Sequence, residues 1–583
     1  MNDQMNELVQ FSPVAGALFL ESVSGETSRK IEHENDVHAA DGQDRSMYIY
    51  APKSGCPDAK QAQILMVLRD DASEASAQAL LEELALAELA EQEHFLILFP
   101  NPTAQGWNYS ADPARESDGD FLGRCFGALR GSKARVNGFN GMIYYLAATA
   151  SASALVMTMA AQKPMSVPAM LLGAFPEDYE IPGNALNVET AAFVRNNPQA
   201  EHYLKNANGV SSEEYDRGIN YYYGRNPNVR LAVTDRPLDA DTVRLCWDRV
   251  FSLSRRWQND THGTYQKRTF FTARGFTAHV KDSSLGVNND FPHTWYEYIP
   301  PQLRETQDKV PLLFNFHGVN CVPLYGAEQS GWHEIADREG FIVVYPAPAV
   351  AKAWNIFNDP ALPSDFAFVL ALIDHMKNVH PIDESRIYIA GFSMGSMMTQ
   401  ALASVYPEIF AAAAPCNAFD FAYFNTPRGV YKGVVPSVDA STLQEGSTQR
   451  KMADARREKA DYRIPIFHNV GFNDGMIAPW PVDASTDDVR TKTIARWKQI
   501  NNIPGELTDP AAFSGLAADE SFFEGERFYH QRWHSADPGS PVLYEMLLAK
   551  RMPHAIVPEQ NEFAWEFIRK FRRGSQGELI IEA

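Results

Sequence analysis

The chain has 583 residues, of which 45% are hydrophobic and 21% are charged. This length fits two large α/β domains or about three or four smaller ones, and the composition excludes a disordered or low-complexity chain. The 73 acidic residues outnumber the 52 basic ones, which gives a formal net charge of −21. Such a negative charge argues against nucleic acid and anionic membrane surfaces as partners.

The N-terminal region and the cysteines bear on the cellular compartment. Asp3 and Glu7 stand where a secretory signal carries Lys or Arg, and the first basic residue is Arg29. The five cysteines are too few and too widely spaced for a disulfide framework or a CxxC metal site. We therefore expect a cytoplasmic protein with no metal and no cofactor, in which residues 1–40 form an N-terminal extension.

One uncharged run, 136–162, is long enough to cross a bilayer. Its middle is dominated by Ala, Ser and Thr, and a second uncharged run, 387–407, occurs at a similar depth in the second half of the chain. We interpret both runs as buried elements of a globular fold rather than as membrane spans.

Five short motifs of the first half recur in the second half in the same order, at offsets between 244 and 248 residues. A nearly constant offset is typical of an internal repeat. It predicts a tandem duplication with halves at 41–265 and 266–583. The matched pairs are 48–52 with 296–300, 95–102 with 341–348, Trp107-Asn108 with Trp354-Asn355, Asp120-Phe121 with Asp365-Phe366, and 143–147 with 387–391.

Short apolar runs alternate with helical patterns within each half. In the second half, the run 310–316 precedes a predicted helix at 332–339. The run 341–345 precedes another at 365–379, whose apolar residues recur at helical spacing. Runs that are apolar throughout are typical of strands buried on both faces of a parallel sheet. The sequence therefore predicts an α/β fold twice, each a mostly parallel sheet flanked by helices.

A GxSxG motif, Gly391-Phe-Ser393-Met-Gly395, lies between the predicted strand 386–390 and a helical run at 396–404. In this strand-to-helix setting a serine is held on a strained turn and exposed at the sheet edge. The glycines on either side have no side chain, so strand and helix can approach closely. The motif predicts Ser393 as a nucleophile, and an ordinary glycine-rich turn is the alternative.

A serine nucleophile needs a base and an acid farther along the chain. His554 lies in a loop between the last long apolar run and a predicted C-terminal helix, which suits the base. Asp474 follows the predicted strand 464–470, where its carboxylate can orient the imidazole; an ordinary turn-forming Asp is the alternative. Other acids close behind it are alternatives for the same role, namely Asp483, Asp487 and Asp488.

An acyl-transfer site also needs hydrogen-bond donors for the developing oxyanion. We expect one donor to be the backbone N–H of Met394, directly after the nucleophile. The second is expected to be the N–H of Val319, in the loop that begins with His317-Gly318. We interpret His317 itself as structural rather than catalytic.

Two further groups of residues have weaker signals. The pair His530 and His534 has helical i,i+4 spacing but neither an acidic third ligand nor an HExxH pattern, so no metal is predicted there. Several aromatic residues lie near the predicted loops and are candidates for an acyl pocket, with ordinary packing as the alternative. They are Trp332, Trp354, Phe419, Tyr423 and Trp480.

Further short segments of the second half accompany the GxSxG motif: 317–318, 330–332, 336–341, 344–346, 365–366, 381–383, 386–388 and 410–415. With these segments the second half resembles the polyhydroxybutyrate depolymerase-like esterases, which include feruloyl and acetylxylan esterases of similar build. The resemblance implies the α/β-hydrolase fold, ester hydrolysis through an acyl-enzyme, and Ser393, Asp474 and His554 as the triad. Family members often carry Cys where this chain has Val319, and many are secreted with disulfides.

The first half resembles the same fold with its chemistry lost. Arg69-Asp70 stands where the second half has its His-Gly pair, and Ser393 corresponds to Thr149 or, with a slip of one residue, to Ala150. Ser151 would need a larger slip and lacks both elbow glycines. We therefore predict a degenerate, non-catalytic domain that packs against the catalytic one, and a homo-oligomer as a further candidate assembly.

The sequence thus predicts a serine carboxylester hydrolase whose partner is an ester substrate. The expected substrates are polyhydroxyalkanoate oligomers or related short or aromatic acyl esters. A feruloyl or acetyl esterase acting on plant-derived esters is an alternative with the same chemistry. A serine peptidase or amidase of the same fold, and a non-catalytic binding protein, are the alternatives from other functional classes.

Overall fold

A computed structural model describes residues 5, 7–26, 42–110, 112–350, 353–356, 359, 361–419, 461–477, 479–482 and 488–582. The chain divides into two compact units, Met1–Phe270 and Phe271–Ala583. Across these described stretches, every helix is too short or too polar to cross a membrane.

The first unit is built on a ten-stranded sheet with helices packed against it. Its strands are β1 (Leu8–Val9), β2 (Leu18–Val23), β3 (Arg45–Tyr50), β4 (Cys56–Pro57), β5 (Ala62–Leu68), β6 (Leu96–Pro100), β7 (Gly138–Ala147), β8 (Ala169–Leu172), β9 (Ala191–Arg195), β10 (Ser212–Asp216), β11 (Ile219–Tyr223), β12 (Leu231–Thr234), β13 (Arg256–Trp257) and β14 (Thr264–Tyr265). Its helices are α1 (Glu74–Glu83), α2 (Leu86–Glu93), α3 (Asp118–Ala128), α4 (Ala150–Gln162), α5 (Pro198–Asn208) and α6 (Ala240–Arg249).

The second unit is also built on a ten-stranded sheet. Its strands are β15 (Phe276–Asp282), β16 (His293–Tyr298), β17 (Val310–Phe316), β18 (Ile342–Pro346), β19 (Ile382–Phe392), β20 (Ala412–Cys416), β21 (Ile466–Gly471), β22 (Glu520–Glu524), β23 (Phe528–His534), β24 (Val542–Ala549), β25 (Phe571–Arg573) and β26 (Leu579–Ile581). Its helices are α7 (Phe271–Arg274), α8 (Pro323–Ser330), α9 (Trp332–Glu339), α10 (Asp365–Val379), α11 (Met394–Val405), α12 (Val489–Ile500) and α13 (Pro558–Ile568).

The two sheets have the same strand order. It is β2-β3-β6-β5-β7-β8-β9-β12-β11-β10 in the first unit and β15-β16-β18-β17-β19-β20-β21-β24-β23-β22 in the second. In each sheet the six central strands run parallel, and an antiparallel pair lies at either edge. The α/β fold that the sequence predicts for each half is thus confirmed.

The composition of the central strands explains their position. All seven residues of β17, Val-Pro-Leu-Leu-Phe-Asn-Phe, are buried, as are all five residues of β6. Strands covered by helices on both faces bury both sets of alternating side chains, so most of their residues are apolar. The uncharged run 136–162 likewise forms β7 and the buried helix α4, in agreement with its interpretation as a core element.

Three sequence-based details differ from the structure. His530 and His534 lie on strand β23 and not on a helix; in a strand, too, residues four apart share a face. The first 40 residues, predicted as an extension, supply the edge strand β2. The counterpart of Asp365 is Asp118 rather than Asp120, because each is the first residue of a helix capped by a serine.

Candidate active site

The turn between β19 and α11 holds Ser393 in a strained conformation. Its φ is 55° and its ψ is −120°, a region that a residue with a side chain rarely adopts. A methyl group added at Gly391 would overlap the carbonyl oxygen of Gly395, and one added at Gly395 would overlap that of Phe316. Both glycines of the motif are therefore required by close backbone approach, as the sequence predicts.

Ser393, His554 and Asp474 form one hydrogen-bonded chain. The Ser393 Oγ lies 2.8 Å from His554 Nε2, and His554 Nδ1 lies 2.7 Å from Asp474 Oδ2. The side chain of Asp474 is fully buried, and that of His554 is 11% exposed. With the Nδ1 proton donated to the carboxylate, the lone pair of Nε2 faces the serine hydroxyl and can accept its proton.

Parallel strands explain why residues so far apart in sequence meet. Ser393, Asp474 and His554 follow β19, β21 and β24 respectively, and the carboxyl ends of these strands lie at one edge of the sheet. Open α/β sheets place their ligand sites at this edge. The other Oδ of Asp474 accepts a hydrogen bond from the Met476 N–H at 3.0 Å, which holds the carboxylate in its loop.

The proposed alternatives to Asp474 have different outcomes. Asp483 and Asp487 lie outside the described residues. Asp488 caps the start of α12, where it accepts a hydrogen bond from the Arg490 N–H at 2.8 Å and forms a buried ion pair with the Arg490 guanidinium. Of the two acids that the structure describes, Asp474 and Asp488, Asp474 is thus the one bonded to His554.

The predicted oxyanion donors lie on the two turns that border Ser393. Met394 is the first residue of α11, and the first N–H groups of a helix have no acceptor within that helix. Val319 lies in the turn after β17. The preceding residue, Gly318, lies so close to the nucleophile that a Cβ added to it would be 3.3 Å from Ser393 Cβ. The two turns therefore adjoin at the nucleophile.

His317 is buried and structural in its contacts. Its Nδ1 donates to the Gly318 carbonyl at 2.8 Å, and its own carbonyl accepts a hydrogen bond from Trp354 Nε1 at 2.7 Å. Burial lowers the pKa of His317 to about 4, so the ring is neutral near pH 7. These contacts agree with its interpretation as a residue that shapes the loop.

The aromatic candidates for an acyl pocket are separated by the structure. Trp354 contacts the His317 loop directly. Trp332 is buried against Phe341, Phe419 lies 4.7 Å from the ring of His468, and Trp480 stacks on the guanidinium of Arg490. Tyr423 lies outside the described residues. Trp354 thus contacts a loop that borders the serine.

The corresponding edge of the first unit has different chemistry. The register pairs Ala147 with Leu68 as it pairs Gly391 with Phe316, so Thr149 is the counterpart of Ser393 and Asp70 that of Gly318. The Thr149 hydroxyl donates to Asp70 Oδ1 at 2.9 Å, and Ser151 donates to the same atom. Asp70 and Ser151 line a cavity of about 660 Å³ at this edge.

Two further contacts support the site, an aromatic contact between Phe392 and His554 and a backbone hydrogen bond between Ser393 and Cys416. The two rings of Phe392 and His554 lie 4.9 Å apart, and the Ser393 N–H donates to the Cys416 carbonyl at 2.9 Å. Cys416 lies far from the motif in sequence and carries no signal of its own. Within the described part of the chain, no group of three or more His, Cys, Asp or Glu side chains could hold a metal ion.

Comparison with known proteins matches the part of the chain that contains Ser393, whereas Asp474 and His554 lie beyond the family match. Residues 294–423 match the family described as esterase PHB depolymerase. The chain is 32% identical to the bifunctional acetylxylan esterase/xylanase XynS20E of Neocallimastix patriciarum, over 29% of this chain and 20% of the relative. It is 31% identical to poly(3-hydroxyalkanoate) depolymerase C of Paucimonas lemoignei, over 29% of this chain and 42% of the relative.

A third relative matches over more of its own length. The chain is 29% identical to feruloyl esterase B of Thermothelomyces thermophilus, over 32% of this chain and 65% of that protein. The chain thus spans between 20% and 65% of the length of these three curated relatives. All three have names that include an esterase or a depolymerase.

Proposed function

We propose that this protein is a serine hydrolase that cleaves carboxylic esters at Ser393. The observation that carries the proposal is the unbroken hydrogen-bonded chain from the Ser393 hydroxyl through His554 to the buried Asp474 carboxylate. The esterase relatives and the family match at residues 294–423 support the same reaction class.

In the first half-reaction Ser393 attacks the ester carbonyl. The Oγ–C bond forms as the hydroxyl proton moves to His554 Nε2, and Asp474 stabilises the resulting imidazolium. The carbonyl oxygen becomes an oxyanion, which the N–H groups of Met394 and Val319 stabilise. The intermediate collapses with cleavage of the C–O bond, and the alcohol leaves with the proton from His554.

In the second half-reaction water replaces the alcohol. His554 Nε2 takes a proton from water, whose oxygen attacks the acyl carbon of the acyl-Ser393 ester. The second tetrahedral intermediate breaks the bond to Oγ, and His554 returns the proton to the serine. The products are a carboxylic acid and the free enzyme.

The substrates we propose are short or aromatic acyl esters, with polyhydroxyalkanoate oligomers as the first candidate. The depolymerase relative supports oligomers of hydroxy acids. The acetylxylan and feruloyl esterase relatives favour a second candidate, acetyl or feruloyl esters of plant origin. We further propose a reducing, cytoplasmic setting, which the five buried cysteines support, since none of these described residues forms a disulfide.

A labelling experiment tests the nucleophile. A fluorophosphonate probe should form a bond between Ser393 Oγ and phosphorus with loss of fluoride, and Ser393→Ala should abolish this labelling. Ser151→Ala is the matched control because Ser151 lies two residues after Thr149, the counterpart of Ser393 in the first unit, and it should label as the wild type does. Labelling that persists in Ser393→Ala would refute the assignment.

A substrate panel tests the reaction. Hydroxybutyrate oligomers, p-nitrophenyl acetate and butyrate, methyl ferulate and acetylated xylan should separate the two substrate classes by kcat/KM. An aminoacyl nitroanilide serves as the amide control. Turnover of the nitroanilide at a kcat/KM above that of every ester would favour a peptidase or amidase instead.

A further inference from the structure

Asn417 connects the segments that carry two of the proposed catalytic residues, Asp474 and His554. It is 1% exposed and follows β20 directly. Its Oδ1 accepts a hydrogen bond from the Gly471 N–H at 2.6 Å, and its Nδ2 donates to the Ala555 carbonyl. Gly471 precedes Asp474 by three residues and Ala555 follows His554, so one amide side chain joins the acid loop to the base loop.

The backbone around Asn417 extends this connection to the nucleophile. The Cys416 carbonyl accepts a hydrogen bond from the Ser393 N–H at 2.9 Å, and the Asn417 N–H donates to the Asn469 carbonyl at 2.9 Å. Two consecutive residues thus contact the turn of Ser393, strand β21 and the loop of His554. The side chains of these three catalytic residues can keep their spacing only if the three loops keep theirs.

The conformation of Asn417 suits this position. Its φ is 53°, in the left-handed region where asparagine is several-fold enriched among residues with side chains. The amide uses both its donor and its acceptor on backbone groups of other loops. Removal of the amide would leave a buried N–H and a buried C=O without these partners, which favours a shift of the loops.

The first unit shows that the sheet itself does not require this residue. The strand register makes Leu171 the counterpart of Ala414, and three residues farther on the units carry Ala174 and Asn417 respectively. The first unit has the same strand order with alanine at this place. The amide is therefore found in the unit that has the Ser-His-Asp arrangement.

We infer that Asn417 is a positioning residue that sets the distance from Ser393 to His554 and Asp474, and thereby sets kcat for the proposed hydrolysis, on which this inference rests. It contacts no reacting atom and acts through the loops of the catalytic residues. A misplacement of about 1 Å in such an arrangement can cost about 100-fold in rate.

Two substitutions in the full-length protein test the inference. Asn417→Gly tolerates the positive φ and removes both side-chain bonds. Asn417→Asp keeps an oxygen for the Gly471 N–H and places a second oxygen against the Ala555 carbonyl. For each we expect kcat on p-nitrophenyl butyrate to fall about 100-fold, with KM within threefold of wild type, and the rate of fluorophosphonate labelling at Ser393 to fall by the same factor.

Asn501 offers a matched control at the opposite end of β21. It is fully buried, accepts a hydrogen bond from the Ile464 N–H at 2.9 Å and donates to the Ile464 carbonyl at 2.8 Å. Asn501→Gly and Asn501→Asp should lower Tm as the Asn417 variants do, because each also removes one or more buried hydrogen bonds between the amide side chain and the backbone. Their kcat and labelling rate should stay within threefold of wild type.

The outcomes separate this inference from the proposed function. If the wild type is labelled at Ser393 but both Asn417 variants keep kcat within threefold, the inference is overturned and the proposed function stands. Equal losses of kcat in the Asn417 and Asn501 variants would also overturn it, since they would indicate a general loss of packing. If the wild type neither labels nor hydrolyses esters, the proposed function fails and the inference fails with it. Should Asn417→Gly not fold, Asn417→Asp supplies the comparison.

Discussion

The strain at Ser393 is held in place by its neighbours. A non-glycine residue in a sparsely populated backbone region costs about 1–3 kcal/mol and persists only where its surroundings impose it. Here the Ser393 N–H is bound to Cys416, and the turn is closed by glycines whose backbones are in contact. In this strained conformation the Ser393 hydroxyl lies 2.8 Å from His554 Nε2. The conformational free energy of the turn is thus linked to its proposed chemistry.

This account predicts opposite effects for two Gly→Ala substitutions. Gly395→Ala should destabilise the protein by about 1–3 kcal/mol or prevent folding, because its methyl group would overlap the Phe316 carbonyl oxygen. Gly127→Ala, in helix α3 with open space around the added methyl group, should stabilise the protein by about 0.5–1 kcal/mol. Urea unfolding of both variants provides the measurement, and a neutral Gly395→Ala would contradict the close packing of the turn.

Substitution of the base and the acid should lower kcat by several orders of magnitude. Removal of the imidazole in His554→Ala leaves the Ser393 proton without an acceptor. Asp474→Asn should cost about 10⁴-fold, because an amide favours the wrong tautomer of the imidazole. Steady-state kinetics on a short ester would measure both losses.

The same kinetics distinguish Asp474 from the acids that follow it. Asp487→Asn should keep a kcat close to wild type. A wild-type rate for Asp474→Asn together with an inactive Asp487→Asn would transfer the acid role to residue 487.

The sequence predicts the chemical side chains better than their supports. Ser393 has a motif, and His554 and Asp474 have positions after predicted strands, so chain order identifies candidates for both roles. Asn417 has no such signal, because its contacts are made with loops 54 and 138 residues away. Contacts of that kind depend on which strand ends meet at the sheet edge.

At the scale of elements, the junction of β15, β16 and α10 contains a buried acid surrounded by histidines. Glu297, on β16, accepts a hydrogen bond from Trp295 Nε1 at 2.8 Å, and His279 Nε2 lies 3.2 Å from its Oε1. Burial acts to raise the pKa of Glu297, but the hydrogen bond from Trp295 and the close approach of His279 and His380 outweigh it and hold that pKa well below its usual range.

The pKa of His279, the histidine beside Glu297, is shifted in the opposite direction. The nearby carboxylate of Glu297 raises the pKa of His279 above its usual value, against the effect of burial, and Asp282 adds a smaller contribution. A raised folded-state pKa stabilises the fold below the unfolded pKa of about 6.5, and this stabilisation is lost as pH rises through the folded pKa.

A double-mutant cycle on His279→Gln and Glu297→Gln should therefore depend on pH. We expect a coupling free energy on the order of 1 kcal/mol at pH 5.5 and a smaller one at pH 9, measured by urea unfolding at both values. The cycle cancels the contributions of Asp282, His375 and His380, which also face this cluster. A coupling that grows from pH 5.5 to pH 9 would contradict the charged pairing of these two side chains.

Element boundaries show where sequence patterns suffice. The predicted bounds of α9, α10 and β17 are those observed. The run of β17 is continuously hydrophobic apart from Asn315, α9 ends at Gly340, and the apolar residues of α10 recur at helical spacing. The sequence match of Asp120 to Asp365 is wrong. Both Asp118 and Asp120 lie in the first turn of α3, and Asp120 is the one followed by Phe, as Asp365 is, so sequence comparison pairs these two. The serine caps pair Asp118 with Asp365 instead, but a cap can be used for this comparison only when the start of the helix is known.

At the scale of the whole molecule, one strand order occurs twice with two different chemistries at the same sheet edge. The position of the nucleophile is Thr149 in the first unit, where its side chain caps α4 and bonds to Asp70. The carboxylate of Asp70 occupies the place of the Gly318 turn, where it would repel a developing oxyanion. The common strand order supports the predicted duplication, and these replacements support a first unit without esterase chemistry.

Separate fragments test this division of roles. Each unit has its own ten-stranded sheet and buried strands, so we expect 1–270 and 271–583 each to unfold cooperatively. By intact mass, fragment 271–583 should take one fluorophosphonate adduct, at Ser393, because the described hydrogen bonds of its site lie within it. Fragment 1–270 should take none, because Thr149 and Ser151 both donate to the Asp70 carboxylate rather than to an imidazole. An adduct on 1–270 would show that the first unit keeps an active serine. A folded 271–583 that labels slowly would instead support the prediction that the two halves pack together.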